Sequence, residues 1–203
     1  MSVIYLASRS PRRRELLAQI GVRFEPLLFR DGARRDPDTD EAVLPGETPD
    51  DYVVRVTRQK ARAAWERVVM RRGIRRMPVL AADTTVALAG EIFGKPSDRD
   101  DAIRMLAALA GTQHQVLTAV AVTMDERIEL AVNVSLVTFS PLAEERIRAY
   151  ADSGEPYDKA GGYAIQGRAG AFVERIEGSY TGVMGLPLFE TARLLREFGI
   201  AVP

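Results

Sequence analysis

The sequence predicts a single α/β domain over residues 1–203, with a mixed, twisted sheet flanked by helices and two lobes around a central cleft. Three observations predict it. Residues 3–7 read as a buried strand that passes directly into a capped helix. Two long β-rich runs, residues 115–124 and 128–139, are joined only by Asp125-Glu126-Arg127 and should pair antiparallel, so the sheet is not all parallel. The apolar run 77–82 ends abruptly in the carboxylate of Asp83, and the C-terminal ends of buried strands are where α/β sheets open a ligand crevice.

The first strand is stopped by Ser8-Arg9-Ser10-Pro11. Ser10 suits an N-cap and Pro11 the first helical position. Leu16, Leu17 and Ile20 supply an apolar stripe, and Gly21 ends the helix. Arg9, Arg12, Arg13 and Arg14 crowd this turn. A helix N-terminus with a serine and several arginines can hold an anion, and the same residues read equally well as a solvated face. Residues 24–29 read as a second strand. Residues 30–47 are polar, acidic and aperiodic, a long loop of the kind that often carries function. Its Asp36, Asp38, Asp40 and Glu41 suit a hard cation or, alternatively, plain solvent.

Thr48-Pro49-Asp50-Asp51 begins a helix that Val53, Val56, Ala61, Ala64 and Trp65 carry onward. Lys60 lies on it and, from composition alone, reads as a surface lysine. Arg71, Arg72, Arg75 and Arg76 around Gly73 read as a solvated connection, because no aromatic residues are interleaved to make a nucleic-acid patch. After Asp83, residues 84–88 and 91–93 flank Ala89-Gly90 as a hairpin. Gly94-Lys95-Pro96 then sets a cation in a stiff turn. Ser97 or Asp98 caps a helix that stops near Gly111.

His114 is the only histidine, so a histidine pair is impossible and a structural hydrogen bonder is expected. Residues 142–150 form a short helix. Segment 154–167 is dense in glycine, which permits close backbone approach; it reads as a cradle for phosphate or base, or as a tight multi-turn connection. Residues 172–176 are a last strand and 178–185 a second glycine loop. Leu186-Pro187 opens the terminal helix.

Acids and bases balance at 28 each, so bulk charge points to neither nucleic acid nor a membrane. The absence of cysteine removes disulfides, thiolate metal sites and a cysteine nucleophile. No run approaches the roughly 20 apolar residues of a membrane span. A cytoplasmic protein is expected. Walker A, G-x-G-x-x-G, G-x-S-x-G and H-E-x-x-H patterns are missing, which argues against the commonest nucleotide kinases, dehydrogenases, esterases and zinc proteases.

Four segments together resemble the Maf family of nucleoside triphosphate pyrophosphatases. They are Leu6-Ala7-Ser8-Arg9-Ser10-Pro11-Arg12-Arg13, Ala82-Asp83-Thr84 with Gly94-Lys95-Pro96, segment 154–167, and Gly178-Ser179-Tyr180 with Gly185-Leu186-Pro187-Leu188. Arg12, Asp158-Lys159-Ala160-Gly161 and Ile165-Gln166-Gly167 resemble the dTTP/UTP-hydrolysing branch. The resemblance implies an ITPase/Maf-like fold and hydrolysis of dTTP, UTP or modified pyrimidine nucleotides to the monophosphate and pyrophosphate.

It further implies that Asp83 accepts a proton from water and that Arg12, Thr84 and Gln166 set substrate choice. Ser8, Arg13, Lys60 and Lys95 would line the phosphate site. Glu41 and Asp83 would hold a divalent cation, Mg²⁺ or Mn²⁺. Gln59 stands where many members carry glutamate, which removes one carboxylate. A homodimer is common among members. A non-catalytic, nucleotide-binding regulator of septum formation is the alternative reading, and the intact Asp83 speaks against it.

Overall fold

The computed structural model describes residues 3–27, 40–71 and 73–202. Its centre is one sheet of seven strands with neighbour order β2-β1-β3-β5-β6-β7, and β4 attached to β3. The strands are β1 (Val3–Leu6), β2 (Arg23–Pro26), β3 (Val79–Leu88), β4 (Glu91–Phe93), β5 (Gln113–Met124), β6 (Arg127–Phe139) and β7 (Val173–Glu177). The helices are α1 (Pro11–Gln19), α2 (Pro49–Met70), α3 (Arg99–Leu109), α4 (Glu144–Ala151), α5 (Tyr180–Met184) and α6 (Leu188–Glu197). β1 runs parallel to β2 and β3, and every other pairing is antiparallel, so the sheet is mixed as expected.

The alternation along β3 divides the core. Leu80 and Ala82 join Leu6, Leu16, Leu17, Leu186 and Leu195 on the α1–α6 face. Val79 and Ala81 join Tyr5, Ala61, Ala64 and Trp65 on the α2 face. A third cluster lies toward α3 and α4, around Leu106, Leu109, Phe139 and Tyr163. No helix among the described residues is long and apolar enough to cross a membrane.

Two expected caps are present. Thr48 accepts from the Asp51 N–H, and Asp98 accepts from the Asp101 N–H. The hairpin turn Ala89-Gly90 and the long antiparallel pair β5–β6 also form. Ser10 sits at the start of α1 with Pro11 behind it, but its side chain makes no capping bond. Instead the Ser10 N–H donates to Ser8 Oγ at 3.2 Å. The second strand ends at Pro26, and residues 28–39, with Asp36 and Asp38, lie outside the described residues.

Two corrections concern the sequence reading directly. Asp83 does not close its strand. β5 pairs with β3 from Val79↔Thr123 to Ala87↔Gln115, and that continuous ladder carries the strand through the acid. On the opposite edge, β1 reaches only Val79 and Leu80, while β4 begins at Val86. The crevice therefore opens at a gap in pairing beside the middle of β3, with Asp83 inside it. The second correction is α5, in a stretch read as loop. Ser179 accepts from the Gly182 N–H at 3.0 Å, and Gly185 ends the turn at φ 113°. Five residues are too few to show a helical period, although the capping serine and terminal glycine were visible.

His114 is structural, as expected. It is buried, and its Nε2 lies 2.9 Å from the Tyr163 hydroxyl. Its ring meets Phe139 edge-on. Burial pushes its pKa down to about 4, and it also raises that of Tyr163. A histidine held neutral contributes stability above its unfolded pKa and loses it as pH falls from about 6.5 toward 4. The expected loss across that window is up to about 3 kcal/mol. Chemical denaturation of wild type and His114→Phe at several pH values checks this. The difference in their unfolding free energies should change between pH 7 and pH 4; a constant difference would exclude it.

Candidate active site

A cavity of about 330 Å³ lies at the gap beside Asp83, between the N-terminal turn and segment 158–166. All nine site residues that the resemblance implied line it: Ser8, Arg12 and Arg13 from the turn, Glu41 and Lys60 from the α2 side, Asp83 and Thr84 from β3, Lys95 and Gln166 from loops. That juxtaposition gathers side chains from more than 150 residues of chain around one carboxylate.

Period-2 alternation turns Asp83 toward α2 and Thr84 toward α1. Lys60 meets Asp83 from α2, its Nζ donating to Oδ1 at 2.6 Å, and the same ammonium sits 2.7 Å from Glu41 Oε1. Burial alone would lower the Lys60 pKa, but Asp83 and then Glu41 outweigh it and the net direction is up. Lys60 is thus no surface lysine. Its spacing from Val53, Thr57 and Ala64 puts it on the buried stripe of α2, a signal legible in the sequence.

Glu41 is held by residues that sequence reasoning did not single out. The Tyr52 hydroxyl donates to its carbonyl at 3.1 Å. Arg55 donates to the carbonyls of Asp40 at 2.9 Å and Ala42 at 2.8 Å, and forks onto Glu47 at 2.6 and 2.8 Å. The Arg55 bond is the chief reason the Glu47 carboxyl lies below the usual carboxylate range. Helix α2 therefore fixes residues 40–47 through Tyr52 and Arg55.

Arg13 lines the cavity with its donors engaged by the protein. Its Nε donates to the Gly185 carbonyl at 2.7 Å, one terminal nitrogen to the Ala82 carbonyl at 2.7 Å, and the other to Thr84 Oγ1 at 3.2 Å. Ser8 Oγ is 3.4 Å away. Burial lowers its pKa and Asp83 offsets part of that. Thr84 Oγ1 also meets Thr118 Oγ1 at 3.0 Å, and Thr118 donates to the Gly182 carbonyl at 2.8 Å. These bonds join α1, β3, β5 and α5 around the two residues that flank Asp83.

Arg12 spans the cavity mouth to Asp158, 3.5 Å away. Segment 154–167 contains two short 3₁₀ turns, Glu155–Asp158 and Ala160–Gly162, and a third, Arg168–Phe172, follows it directly, so it is a tight multi-turn connection that also lines the cavity. The Gly161 N–H donates to the Gly94 carbonyl at 3.0 Å, so this segment buttresses the turn that presents Lys95. A side chain on Gly161 would approach Val86 to 2.8 Å, and its φ of 68° also favours glycine.

The arrangement suits a polyanion held against a carboxylate. Among the described residues no cluster of three or more metal-ligating side chains occurs. Glu41 and Asp83 nevertheless converge on one point, since both carboxylates reach the same ammonium. Two carboxylates fit a hard divalent ion that takes its remaining ligands from phosphate oxygens and water.

Fold and cavity together define an α/β protein with a charged cleft cut into a mixed sheet. The chain belongs to the Maf family, whose family model, described as Maf-like protein, matches residues 3–198. A dTTP/UTP pyrophosphatase of Cupriavidus metallidurans is 57% identical over 98% of this chain and 98% of its own length. Proteins of the same name from Nitrosomonas europaea and Burkholderia pseudomallei are 54% and 56% identical, over 98% of this chain and 96% and 94% of theirs.

Proposed function

We propose that this chain is a metal-dependent pyrophosphatase that converts dTTP and UTP to their monophosphates and pyrophosphate. The single observation that carries the reading is the convergence of Asp83, Glu41 and Lys60 in the cavity beside Arg12 and Lys95. The near full-length likeness to three proteins named dTTP/UTP pyrophosphatase supports it.

Cations in the cavity hold the triphosphate chain, since ammonium and guanidinium donors form strong charge-assisted bonds to phosphate oxygens. Asp83 orients a water and takes its proton as the water oxygen bonds to the α-phosphorus. The bond from α-phosphorus to the bridging oxygen breaks, and pyrophosphate leaves with that electron pair. Lys60 engages Asp83 Oδ1, so the water is received by the other carboxylate oxygen. Glu41 and Asp83 would hold the divalent ion, which when bound neutralises phosphate charge and aligns the anhydride.

Gln166 at the rim reads the base. Uracil and thymine present an imide N–H between two carbonyls, and a primary amide supplies both an acceptor and donors for that edge. A polar site of this kind leaves its own groups unpaired against a mismatched base, which penalises it strongly.

The test is pyrophosphate release from each nucleoside triphosphate with added Mg²⁺ or Mn²⁺. Turnover is expected with dTTP and UTP, to be abolished by EDTA and restored by adding back either ion. No release from any triphosphate would overturn the reading, and undiminished turnover in EDTA would remove the metal from it.

A further inference from the structure

Gln166 sits within the turn from Ala164 to Gly167, closed by the Gly167 N–H donating to the Ala164 carbonyl at 3.0 Å. Such a turn on a protein surface is mobile unless something fixes its ends. Here both ends are tied to one pair of side chains. The Ala164 N–H donates to the Tyr150 hydroxyl at 3.1 Å. The Arg168 N–H donates to Glu155 Oε2 at 3.2 Å. The pair is itself closed, because the Tyr150 hydroxyl donates to Glu155 Oε1 at 2.8 Å.

The packing is as specific as the bonding. A side chain at Gly167 would collide with the Glu155 carboxylate, which therefore lies against the backbone of the turn. Tyr150 is anchored in turn, with its ring edge-on to Phe172 at 5.2 Å. Neither Tyr150 nor Glu155 lines the cavity. They belong to α4 and the first 3₁₀ turn, and they reach the site only through the backbone on either side of Gln166.

We propose that Glu155, braced by Tyr150, is a positioning residue that sets base selectivity by fixing the turn that carries Gln166. The inference rests on the reading of Gln166 given above. It deepens that reading by naming what holds the amide in register. A turn released at both ends would still carry Gln166, but the amide would spend its time away from the base edge. Discrimination would then fall while the chemistry at Asp83 continued.

The experiment compares UTP with CTP, whose base lacks the imide edge. Turnover (kcat and KM) and equilibrium binding in EDTA are measured for wild type, Glu155→Ala, Tyr150→Phe, Gln166→Ala and the Glu155→Ala/Gln166→Ala pair. Wild type should prefer UTP. Glu155→Ala should reduce that preference by about tenfold or more, chiefly through the KM for UTP, as expected when base-edge hydrogen bonds are lost. Tyr150→Phe keeps the ring and removes only the hydroxyl, so it should shift selectivity in the same direction even if Glu155→Ala folds poorly.

The double variant should be no worse than Gln166→Ala alone, since two residues acting through one contact are not additive. A merely structural role would lower thermal stability and leave the UTP-to-CTP ratio unchanged. Unchanged ratios in both Glu155→Ala and Tyr150→Phe, or losses that multiply in the double variant, would overturn the proposal. A wild type without base preference would overturn the reading of Gln166 and this inference with it. A selective wild type with unaffected variants would overturn this inference alone.

Discussion

Replacing Asp83 by asparagine is expected to lower kcat for dTTP and UTP by a factor on the order of 10²–10⁴, the range spanned by positioned general bases. Asparagine has the same shape and still offers an oxygen to Lys60 Nζ, which now lies 2.6 Å from Oδ1. Glu41, 2.7 Å from the same nitrogen, keeps the ammonium paired. The fold should therefore change little, while proton acceptance and one charged ligand of the divalent ion are lost together. Asp83→Glu is the informative companion. It keeps the charge but moves the carboxylate by one methylene, and a misplacement of about 1 Å can cost about 10²-fold. Steady-state pyrophosphate release with thermal melts of the same samples checks both. A folded Asp83→Asn with wild-type kcat would take Asp83 out of the chemistry.

That such a variant could be named before any coordinates reflects how local the relevant signals are. Thr48 before Pro49 and two acids, or Asp98 before Asp100 and Asp101, is a contiguous helix start, and both formed. The β5–β6 pair needed only two apolar runs and a short polar turn. Of the cavity-lining residues, Lys95 was legible in the stiff turn Gly94-Lys95-Pro96, whereas Gln166 came only from the resemblance carried by Ile165-Gln166-Gly167. What escaped notice depends on partners distant in the chain. β3 continues past Asp83 because Ala119 on β5 pairs with it, and nothing near Asp83 announces that partner. Arg55 and Tyr52 look like ordinary helix residues until the 40–47 segment folds back over them. Tyr150 and Glu155 are close in sequence, but the turn they tie begins at Ala164. The resemblance placed Arg13 beside the phosphates without showing where its donors point.

Arg13 carries the second large expectation, and it departs from the role implied by likeness. Its guanidinium donates to Ala82 and Gly185 carbonyls and to Thr84 Oγ1. Arg13→Ala would leave two inward-facing carbonyls without that donor beside Asp83. Hydrogen bonds to a charged donor contribute about 1.5–3 kcal/mol each, so a loss of about 3–5 kcal/mol is expected. For a chain of this size that lowers Tm by roughly 6–20 °C. Arg13→Lys should recover only part of this, because one ammonium cannot reproduce a fork that reaches three elements at once. The strand carbonyl before Asp83 and the hydroxyl after it both lose their anchor, so kcat should fall with Tm at temperatures where the variant is still folded. A residue serving chiefly as a phosphate ligand behaves differently: its removal raises KM and leaves Tm in place. Melting curves and steady-state constants for Arg13→Ala and Arg13→Lys separate the two roles. A large KM increase at unchanged Tm would return Arg13 to the phosphates.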